Sequence, residues 1–371
     1  MPTNKQLERL LGKLRESGGS DLHIKAGAPP RIRLNGELLA LDGEDELTET
    51  VVGGMLDAIL RPNIRDRFDN QRSADFAYTS GDGDRFRVNA YRQRESGAMV
   101  FRLVVGEPHN FEQLRLPDSV RRFAELPRGL VIVAGPTGSG KTTTLAAMVD
   151  HINRIRRAHI VTIEDPIEVM HHDVCSSVSQ REIGVDTPDF AIAMRAALRQ
   201  DPDVIMVGEM RDSETVSTAL SAAETGHLVL STLHTLDAAE TVNRVVEFFP
   251  EHLHHQIRLV LAGALKGTVC QRLVRTADGR DRVPAVEVMV VNGRVQECIL
   301  NPEVRTSIEE IIADGEYYGM QTFDQSLLSL YERGMIELSD TLAAATNPHD
   351  LSLQMRRKGL LAVASNGNST R

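Results

Sequence analysis

One segment of the sequence has the residue types and spacing needed to bind the phosphates of a nucleotide. Residues 135–142 read Gly-Pro-Thr-Gly-Ser-Gly-Lys-Thr, directly after the apolar run 130–134 and before a helical stretch that reaches Met148. Glycines in such a turn let backbone N–H groups point at phosphate oxygens, and the following helix directs its positive end at them. The pattern predicts a P-loop that binds ATP and Mg²⁺, with Lys141 spanning the β and γ phosphates and Thr142 as a metal ligand. The predicted nucleotide-binding residues are Gly135, Pro136, Thr137, Gly138, Ser139, Gly140, Lys141, Thr142 and Thr143.

Polar residues also stand at the ends of three further apolar runs, at 160–163, 204–207 and 228–231. Continuous β-branched runs are typical of buried parallel strands, whose carboxyl ends meet at one edge of an open sheet. We therefore expect the polar residues near them to gather beside the P-loop and to take part in hydrolysis. With Lys141, the candidate catalytic residues are Glu164 and Glu168 after the first run, Glu209 after the second, and His227 and His234 on either side of the third.

The sequence leaves the roles of the acids open. Glu209 has the position of a Walker B acid, which binds Mg²⁺ through water or polarises the attacking water, so it is a predicted metal residue beside Thr142. Glu168 is a candidate general base, and the reverse assignment is also compatible with the pattern. Acids at strand ends are commonly solvated loop charges, and His227 has a structural, hydrogen-bonded role as its alternative.

The surrounding patterns predict two domains of α/β character. Residues 1–105 combine one amphipathic helix with short alternating runs, which indicates a small α+β domain with an antiparallel sheet. Turn-forming residues make 106–118 a predicted linker. Residues 119–371 then alternate strand-like and helical stretches, which predicts an ATPase domain that becomes more helical from about residue 285 and ends in a disordered tail at 365–371.

Composition narrows the class of protein. The 371 residues are 41% hydrophobic and 25% charged, as in soluble globular proteins, and no apolar run approaches the roughly 20 residues of a membrane-spanning helix. A cytoplasmic location is therefore predicted. Residues 116–371 carry 25 Lys/Arg against 34 Asp/Glu, which makes nucleic acid an unexpected partner.

Taken together, the motifs resemble those of the secretion and pilus motor ATPases, most closely the PilT/PilU-type retraction ATPases of type IV pili. The resemblance extends over nearly the whole chain. The segments that carry it are Ser20-Asp-Leu-His23 with Gly27-x-Pro29-Pro30, the P-loop, the "Asp box" 162–168, residues 198–212, the "His box" through Thr235, and Gly319-Met-Gln-Thr-Phe-Asp324.

This resemblance implies a PAS-like N-terminal domain, a RecA-like ATPase domain and a ring of six subunits that hydrolyses ATP to drive pilus retraction in twitching motility. It also implies association with the inner face of the cytoplasmic membrane through a type IV pilus inner-membrane platform protein. In such proteins arginines of the N-terminal domain reach an ATP held by a RecA-like domain. The matching residues here are Arg87 and Arg102, for which a solvated strand face is the alternative.

One departure from the family pattern bears on whether the protein drives retraction or extension of a pilus. Retraction enzymes carry a motif of the type Ala-Ile-Arg-Asn-Leu-Ile-Arg-Glu, whereas residues 302–310 here keep only Arg305 and part of the apolar pattern. An accessory or extension-direction pilus or type II secretion ATPase therefore stays an alternative. From other classes, the alternatives are a RecA-like nucleic-acid translocase and an ATP-binding scaffold without turnover.

Overall fold

The computed structural model describes residues 2–34, 36–104 and 108–361, except the side chains of residues 2, 3 and 63. The predicted tail at 365–371, the start of the predicted linker and the last residue of the domain predicted over 1–105 lie outside these residues. The chain forms two compact units. The first contains residues up to 104 together with Asp165–Met170 and Glu182–Asp186, and the second contains the other described residues from Pro108 onward.

The first unit is an α+β structure. Its first element is helix α1 (Pro2–Glu16). The helix forms because Leu7, Leu10, Leu11 and Leu14 recur at helical spacing and are all buried. In the described part of this unit the strands form a six-stranded sheet of order β3-β2-β1-β6-β5-β4, in which neighbouring strands are antiparallel. Its elements are α1 (Pro2–Glu16), β1 (Asp21–Lys25), β2 (Arg31–Leu34), β3 (Glu37–Ala40), α2 (Glu49–Ile59), α3 (Pro62–Gln71), β4 (Ser73–Thr79), β5 (Arg85–Gln93) and β6 (Ser96–Val104).

The antiparallel sheet and the first helix agree with the pattern predictions, whereas helices α2 and α3 were not predicted. Their apolar residues include Val52, Met55, Leu56 and Ile59, which share one core with the four leucines of α1. That core covers one face of the sheet. Charged residues of β1, β2, β5 and β6 alternate with the core residues along each strand, as expected for a sheet with one solvated face.

The second unit is an α/β structure whose first half contains the four predicted parallel strands. It starts with α4 (Phe111–Leu114), α5 (Asp118–Ala124), β7 (Gly129–Ala134), α6 (Lys141–Ile155), β8 (His159–Glu164), β9 (Ser177–Glu182, its last residue in the first unit), α7 (Phe190–Ala197), β10 (Val204–Val207), α8 (Ser213–Glu224) and β11 (Leu228–Leu233). It continues with α9 (Ala238–Glu247), α10 (His254–Ala264), β12 (Leu265–Arg275), β13 (Arg282–Val290), α11 (Gly293–Leu300), α12 (Ile308–Ala313), α13 (Phe323–Glu332), α14 (Leu338–Ala344) and α15 (Pro348–Arg357), with short 3₁₀ helices at Glu251–Leu253 and Glu316–Tyr318.

Within the described residues, the sheet of this unit has the order β13-β12-β7-β11-β10-β8-β9. Strands β12, β7, β11, β10 and β8 pair in parallel, and β13 pairs antiparallel with β12. Side chains of β7, β10 and β11 are buried along their whole length because α helices pack on the sheet. The carboxyl ends of β7, β8, β10 and β11 therefore share one edge, which we call the nucleotide edge.

Two elements differ from the sequence expectations. The segment predicted as a linker, 106–118, contains α4, because Phe111 is buried in the core of the second unit, and α5 begins at its last residue, Asp118. Near residue 285, where a more helical region was predicted, β13 continues to Val290 before five helices follow in the described residues. Among the described residues, no helix combines the length and the apolar character needed to cross a membrane.

Candidate nucleotide-binding and hydrolysis site

The P-loop joins the buried strand β7 to the 15-residue helix α6. Three of its glycines have positive φ, +145° at Gly135, +80° at Gly138 and +92° at Gly140, a backbone geometry that side chains disfavour. At Gly135 space is also restricted, because a Cβ there would lie 2.5 Å from the carbonyl oxygen of Gln271. The sequence thus folds into a tight turn that directs the amino end of α6 at the nucleotide edge, where anions are stabilised.

Lys141, the first residue of α6, is buried to 8% exposure. Its Nζ donates to the carbonyl oxygens of Gly135 at 2.7 Å and Pro136 at 3.0 Å. Burial lowers the pKa of Lys141, and the carboxylate of Glu209 opposes that shift. The ammonium group is therefore held at the mouth of the P-loop, where it can contact a phosphate.

Glu209 and His234 meet Lys141 at the nucleotide edge. The Nδ1 atom of His234 lies 3.5 Å from Nζ of Lys141, and its Nε2 atom lies 3.1 Å from Oε1 of Glu209. A lysine ammonium only donates, so Nδ1 of His234 faces Lys141 as an acceptor and Nε2 faces Glu209 as a donor. Arg211 donates from Nε to Oε2 of Glu209 at 2.8 Å. A cation, an imidazole and a carboxylate thus form one polar chain beside the P-loop.

Glu164 is the last residue of β8 and is 5% exposed. Its Oε1 atom accepts hydrogen bonds from Thr162 Oγ1 at 2.6 Å and from Gln180 Nε2 at 3.0 Å. Strands of a sheet are about 4.8 Å apart, so β8 lies three spacings, about 14 Å, from β7, while β10 with Glu209 lies two. Glu164 is thus a buried, oriented carboxylate at the nucleotide edge, farther from the P-loop than Glu209.

A pocket of about 230 Å³ opens beside the P-loop. Two of its lining groups, Ser139 Oγ and Gln271 Oε1, are buried without a hydrogen-bond partner among the described residues. Buried polar groups are nearly always satisfied, so these two atoms fit a polar ligand such as a nucleotide. Other lining residues are Leu116, Gly140, Thr143, Leu273 and Pro284.

The residues at the nucleotide edge also fit Mg²⁺ bound together with a nucleotide. Thr142 and Glu209 offer the oxygen atoms that Mg²⁺ prefers. In the described part of the chain, no cluster of three or more His, Cys, Asp or Glu residues could hold a metal ion by itself. Phosphate oxygens and water would therefore supply most of the ligands, as is usual for Mg²⁺ at phosphate sites.

Two predicted catalytic residues are not at the carboxyl end of a strand of this sheet. His227 precedes β11, and its Nδ1 atom lies 2.9 Å from the carbonyl oxygen of Ala222. The six residues of β11 separate it from the nucleotide edge by about 20 Å, so the expectation that it gathers beside the P-loop of its own chain is wrong. Glu168 is exposed and lies beyond the end of β8, in the segment 165–170 of the first unit. Glu168 therefore does not stand at the end of β8, as its place after the run 160–163 led us to expect.

Arg87 and Arg102 are registered partners on β5 and β6 of the first unit, and Arg102 is also registered with Asp21 on β1. Registered residues lie side by side on one face of a sheet, so the two arginines form a basic pair on the solvated face. Arg102 donates from Nε to Oδ1 of buried Asp21 at 2.8 Å, while 66% of its side chain stays exposed. Burial opposes ionisation of Asp21, but hydrogen bonds from Ser20 and Arg102 prevail and lower its pKa.

Sequence reasoning missed several groups that hold the site together. Arg211 could have been found from its position two residues after Glu209. Thr162 could have been found in the same way, two residues before Glu164 on the same strand. Gln180 and Gln271 gave no comparable signal, because each reaches its partner only through the pairing of strands or the packing of a helix on the sheet.

The fold and this site define a P-loop ATPase with an α/β core. The family model for "Type II/IV secretion system protein" matches residues 88–333, and the chain belongs to that family.

The chain is similar to two proteins of Pseudomonas aeruginosa. One is the type IV pilus retraction ATPase PilT, with 40% identity over 93% of this chain and 99% of the relative. The other is the type IV pilus ATPase PilU, with 39% identity over 95% of this chain and 91% of the relative. A crystal structure of the pilus retraction motor PilT with bound ADP matches with a TM-score of 0.85 and 41% identity, over 93% of this chain and 98% of that one.

Proposed function

We propose that this protein is a motor ATPase that hydrolyses ATP to drive retraction of a type IV pilus, and hence twitching motility. The observation that carries the proposal is the polar chain from Lys141 through His234 to Glu209. It joins a phosphate-binding cation to a carboxylate that can orient or deprotonate water. The similarity to PilT supports retraction as the work that this hydrolysis drives.

In the proposed reaction the P-loop holds ATP through its backbone N–H groups, through Lys141 at the β and γ phosphates and through the residues 135–143 named from the sequence. Thr142 and Glu209 are the residues that would hold Mg²⁺, and the ion would supply neutralisation of phosphate charge. Glu209 also lies where it can hold the attacking water. His234 links Glu209 to Lys141, so it can report occupation of the γ-phosphate position to the carboxylate.

Glu164 is proposed as the carboxylate that completes water activation, in preference to Glu168. Glu164 is buried, hydrogen-bonded and at the end of β8, whereas Glu168 is exposed beyond that strand. A general base must have a fixed geometry relative to the water that it activates. His227 is proposed to act in catalysis only outside the site of its own chain.

The assembly is proposed to be a homo-hexamer at the inner face of the cytoplasmic membrane, attached through the inner-membrane platform protein of the pilus. Arg87 and Arg102 are proposed to reach ATP held by another subunit. Lys141 is the cation of the P-loop itself, and phosphoryl transfer commonly draws on an additional arginine. The exposed guanidinium of Arg102 supports such a role.

Purified Lys141→Ala protein tests the chemistry, because removing the P-loop ammonium should abolish steady-state ATP hydrolysis. Turnover at the parental rate would contradict the P-loop assignment. Lys141→Arg keeps the charge but changes the shape of the cation, so it serves as the matched variant and should also lose most turnover.

A deletion strain tests the direction of work. Loss of retraction predicts excess surface pili together with lost twitching. Cells without pili would instead favour an extension-direction motor. Excess pili with twitching retained would favour an accessory role. The 39% identity to PilU is compatible with that alternative.

A further inference from the structure

We infer that Gln180 is a positioning residue for hydrolysis: its side-chain amide holds the carboxylate of Glu164 in the orientation needed to activate water. The inference rests on the proposed function, because it assumes that Glu164 takes part in ATP hydrolysis. Gln180 belongs to no nucleotide-binding motif and lies on β9, a strand that the sequence did not predict.

The first observation is the set of donors around Glu164. Thr162 and Gln180 both donate to the same oxygen atom of Glu164, at 2.6 Å and 3.0 Å. Thr162 comes from the same strand, two residues earlier, and therefore moves with Glu164. Gln180 comes from the neighbouring strand β9, so it fixes the carboxylate relative to the sheet.

The second observation is that the amide of Gln180 has one possible orientation. Its Oε1 atom accepts a hydrogen bond from the backbone N–H of His171 at 2.8 Å. A backbone N–H only donates and a carboxylate only accepts, so the amide oxygen must face His171 and the NH₂ group must face Glu164. The amide is thus anchored at one end and directs its donor at Glu164 with the other.

The third observation is burial. Glu164 is nearly inaccessible, and a buried carboxylate is costly unless donors satisfy it. Those donors also restrict its rotamers. Such restriction matters because a displacement of a catalytic group by about 1 Å can lower the reaction rate about a hundredfold. Glutamine suits this position because glutamate would place a second negative charge against Glu164.

The test compares Gln180→Met, which keeps the length of the side chain but removes the amide, with Ser179→Ala. Ser179 is the neighbouring residue of β9, is exposed and contacts His159 from the other face of the strand, so it is a matched control. We expect Gln180→Met to lower kcat about tenfold to a hundredfold, with less than about a threefold change in the Kd for ATP. Gln180→Glu should lower kcat at least as much as Gln180→Met does, while Ser179→Ala should keep the parental kcat.

A double-mutant cycle separates positioning from general support of the fold. If Gln180 acts through Glu164, Gln180→Met should cost little further turnover in a Glu164→Gln background. Equal losses in both backgrounds would show that Gln180 supports the fold instead, and would overturn the inference. Parental kcat for Gln180→Met would overturn it as well.

A crystal structure of Gln180→Met provides a readout without turnover: the Glu164 carboxylate should rotate away from its present position, and an unmoved carboxylate would overturn the inference. Failure of the proposed function has a different signature. If the parental protein hydrolyses ATP but Glu164→Gln does so equally well, only the role of Glu164, and the inference with it, is overturned. If the parental ring does not hydrolyse ATP, the proposed function itself is wrong.

Discussion

At the scale of single residues, Glu209 is the group on which the site converges. Its two carboxylate oxygens face His234 Nε2 at 3.1 Å and Arg211 Nε at 2.8 Å, and its charge acts on the pKa of Lys141. Arg211 in turn lies over the ring of Phe190, with its guanidinium 6.0 Å from the ring centroid. The carboxylate is therefore oriented from two sides by groups that the fold itself supports.

The residue-scale prediction compares Glu209→Gln with Glu168→Gln. Glutamine keeps the shape of Glu209 but loses its charge and basicity, so ATP binding should persist while kcat falls at least about a hundredfold. Glu168→Gln should keep kcat within about threefold, since that carboxylate is exposed beyond the end of β8. Steady-state hydrolysis and a nucleotide-binding titration measure both. Unchanged turnover in the first variant, or the loss appearing in the second, would reverse the assignment.

At the scale of elements, the strand–turn–helix unit of the P-loop depends on one glycine more than on the others. Gly135→Ala should place a methyl group 2.5 Å from the carbonyl oxygen of Gln271 and 2.6 Å from Ser139 Oγ, in a backbone region that alanine disfavours. We expect a loss of roughly 2–3 kcal/mol in stability and weaker ATP binding. Gly226→Ala is the matched control, because its φ is also positive, +118°, but a Cβ there meets nothing within 4 Å. Equal losses of stability and ATP affinity in the two variants would contradict the role of close packing.

A second element-scale prediction concerns Glu287 on β13. Burial raises its pKa to about 7, aided by the nearby carboxylates of Asp237 and Glu309 and opposed by a hydrogen bond from the backbone N–H of Ala238. The unfolded chain releases this proton near its ordinary pKa of about 4.3, so the folded state holds more protons between about pH 4.3 and 7. Stability should therefore fall by about 4 kcal/mol as the pH rises through that window, and stay reduced above it.

Glu287→Gln should remove this loss, because an amide still accepts from Ala238 but has no charge to bury. The melting temperature of the variant should exceed that of the parent at about pH 8, and the difference should shrink at about pH 5. Glu303→Gln is the control, since Glu303 is exposed and is not among the carboxylates that raise the pKa of Glu287, so the pH dependence should stay nearly intact. A difference between variant and parent that does not depend on pH would show that titration of Glu287 is not its cause.

At the scale of the whole molecule, the residues proposed to act on ATP are distributed over both units of the chain. The second unit contributes Lys141 and Glu209, while Arg87 and Arg102 stand on the solvated face of the sheet in the first unit. If these arginines act on ATP held by another subunit, hydrolysis requires a ring, and closure of domains on nucleotide becomes the movement that does work.

Mixing two inactive chains tests this arrangement. Arg102→Ala and Lys141→Ala should each be inactive alone, but mixed rings contain interfaces that pair an intact Lys141 with an intact Arg102, so turnover should partly return. Arg31→Ala is the control for loss of charge from the same face of the sheet, because Arg31 pairs with His23 rather than with the basic pair. No recovery in rings shown by native mass measurement to be mixed would mean that Arg102 acts within its own chain or only supports Asp21.

The sequence by itself determined the nucleotide edge of the second unit. Local patterns of composition and spacing are sufficient to predict the P-loop and four strands, and to show which residues follow the carboxyl end of each strand. The strands are those at 130–134, 160–163, 204–207 and 228–231. That is why Lys141, Glu164, Glu209 and His234 were placed together, and why the family was recognised, which the comparisons confirm.

Only the tertiary structure decided which polar groups meet. His227 is as close to its strand in sequence as His234, yet the direction of β11 sends them to opposite edges of the sheet. Gln180 reaches Glu164 and Gln271 reaches Thr144, 127 residues away, because strand order and helix packing bring them together. Such contacts depend on the free energy of packing distant segments, for which a local pattern of residues carries no signal.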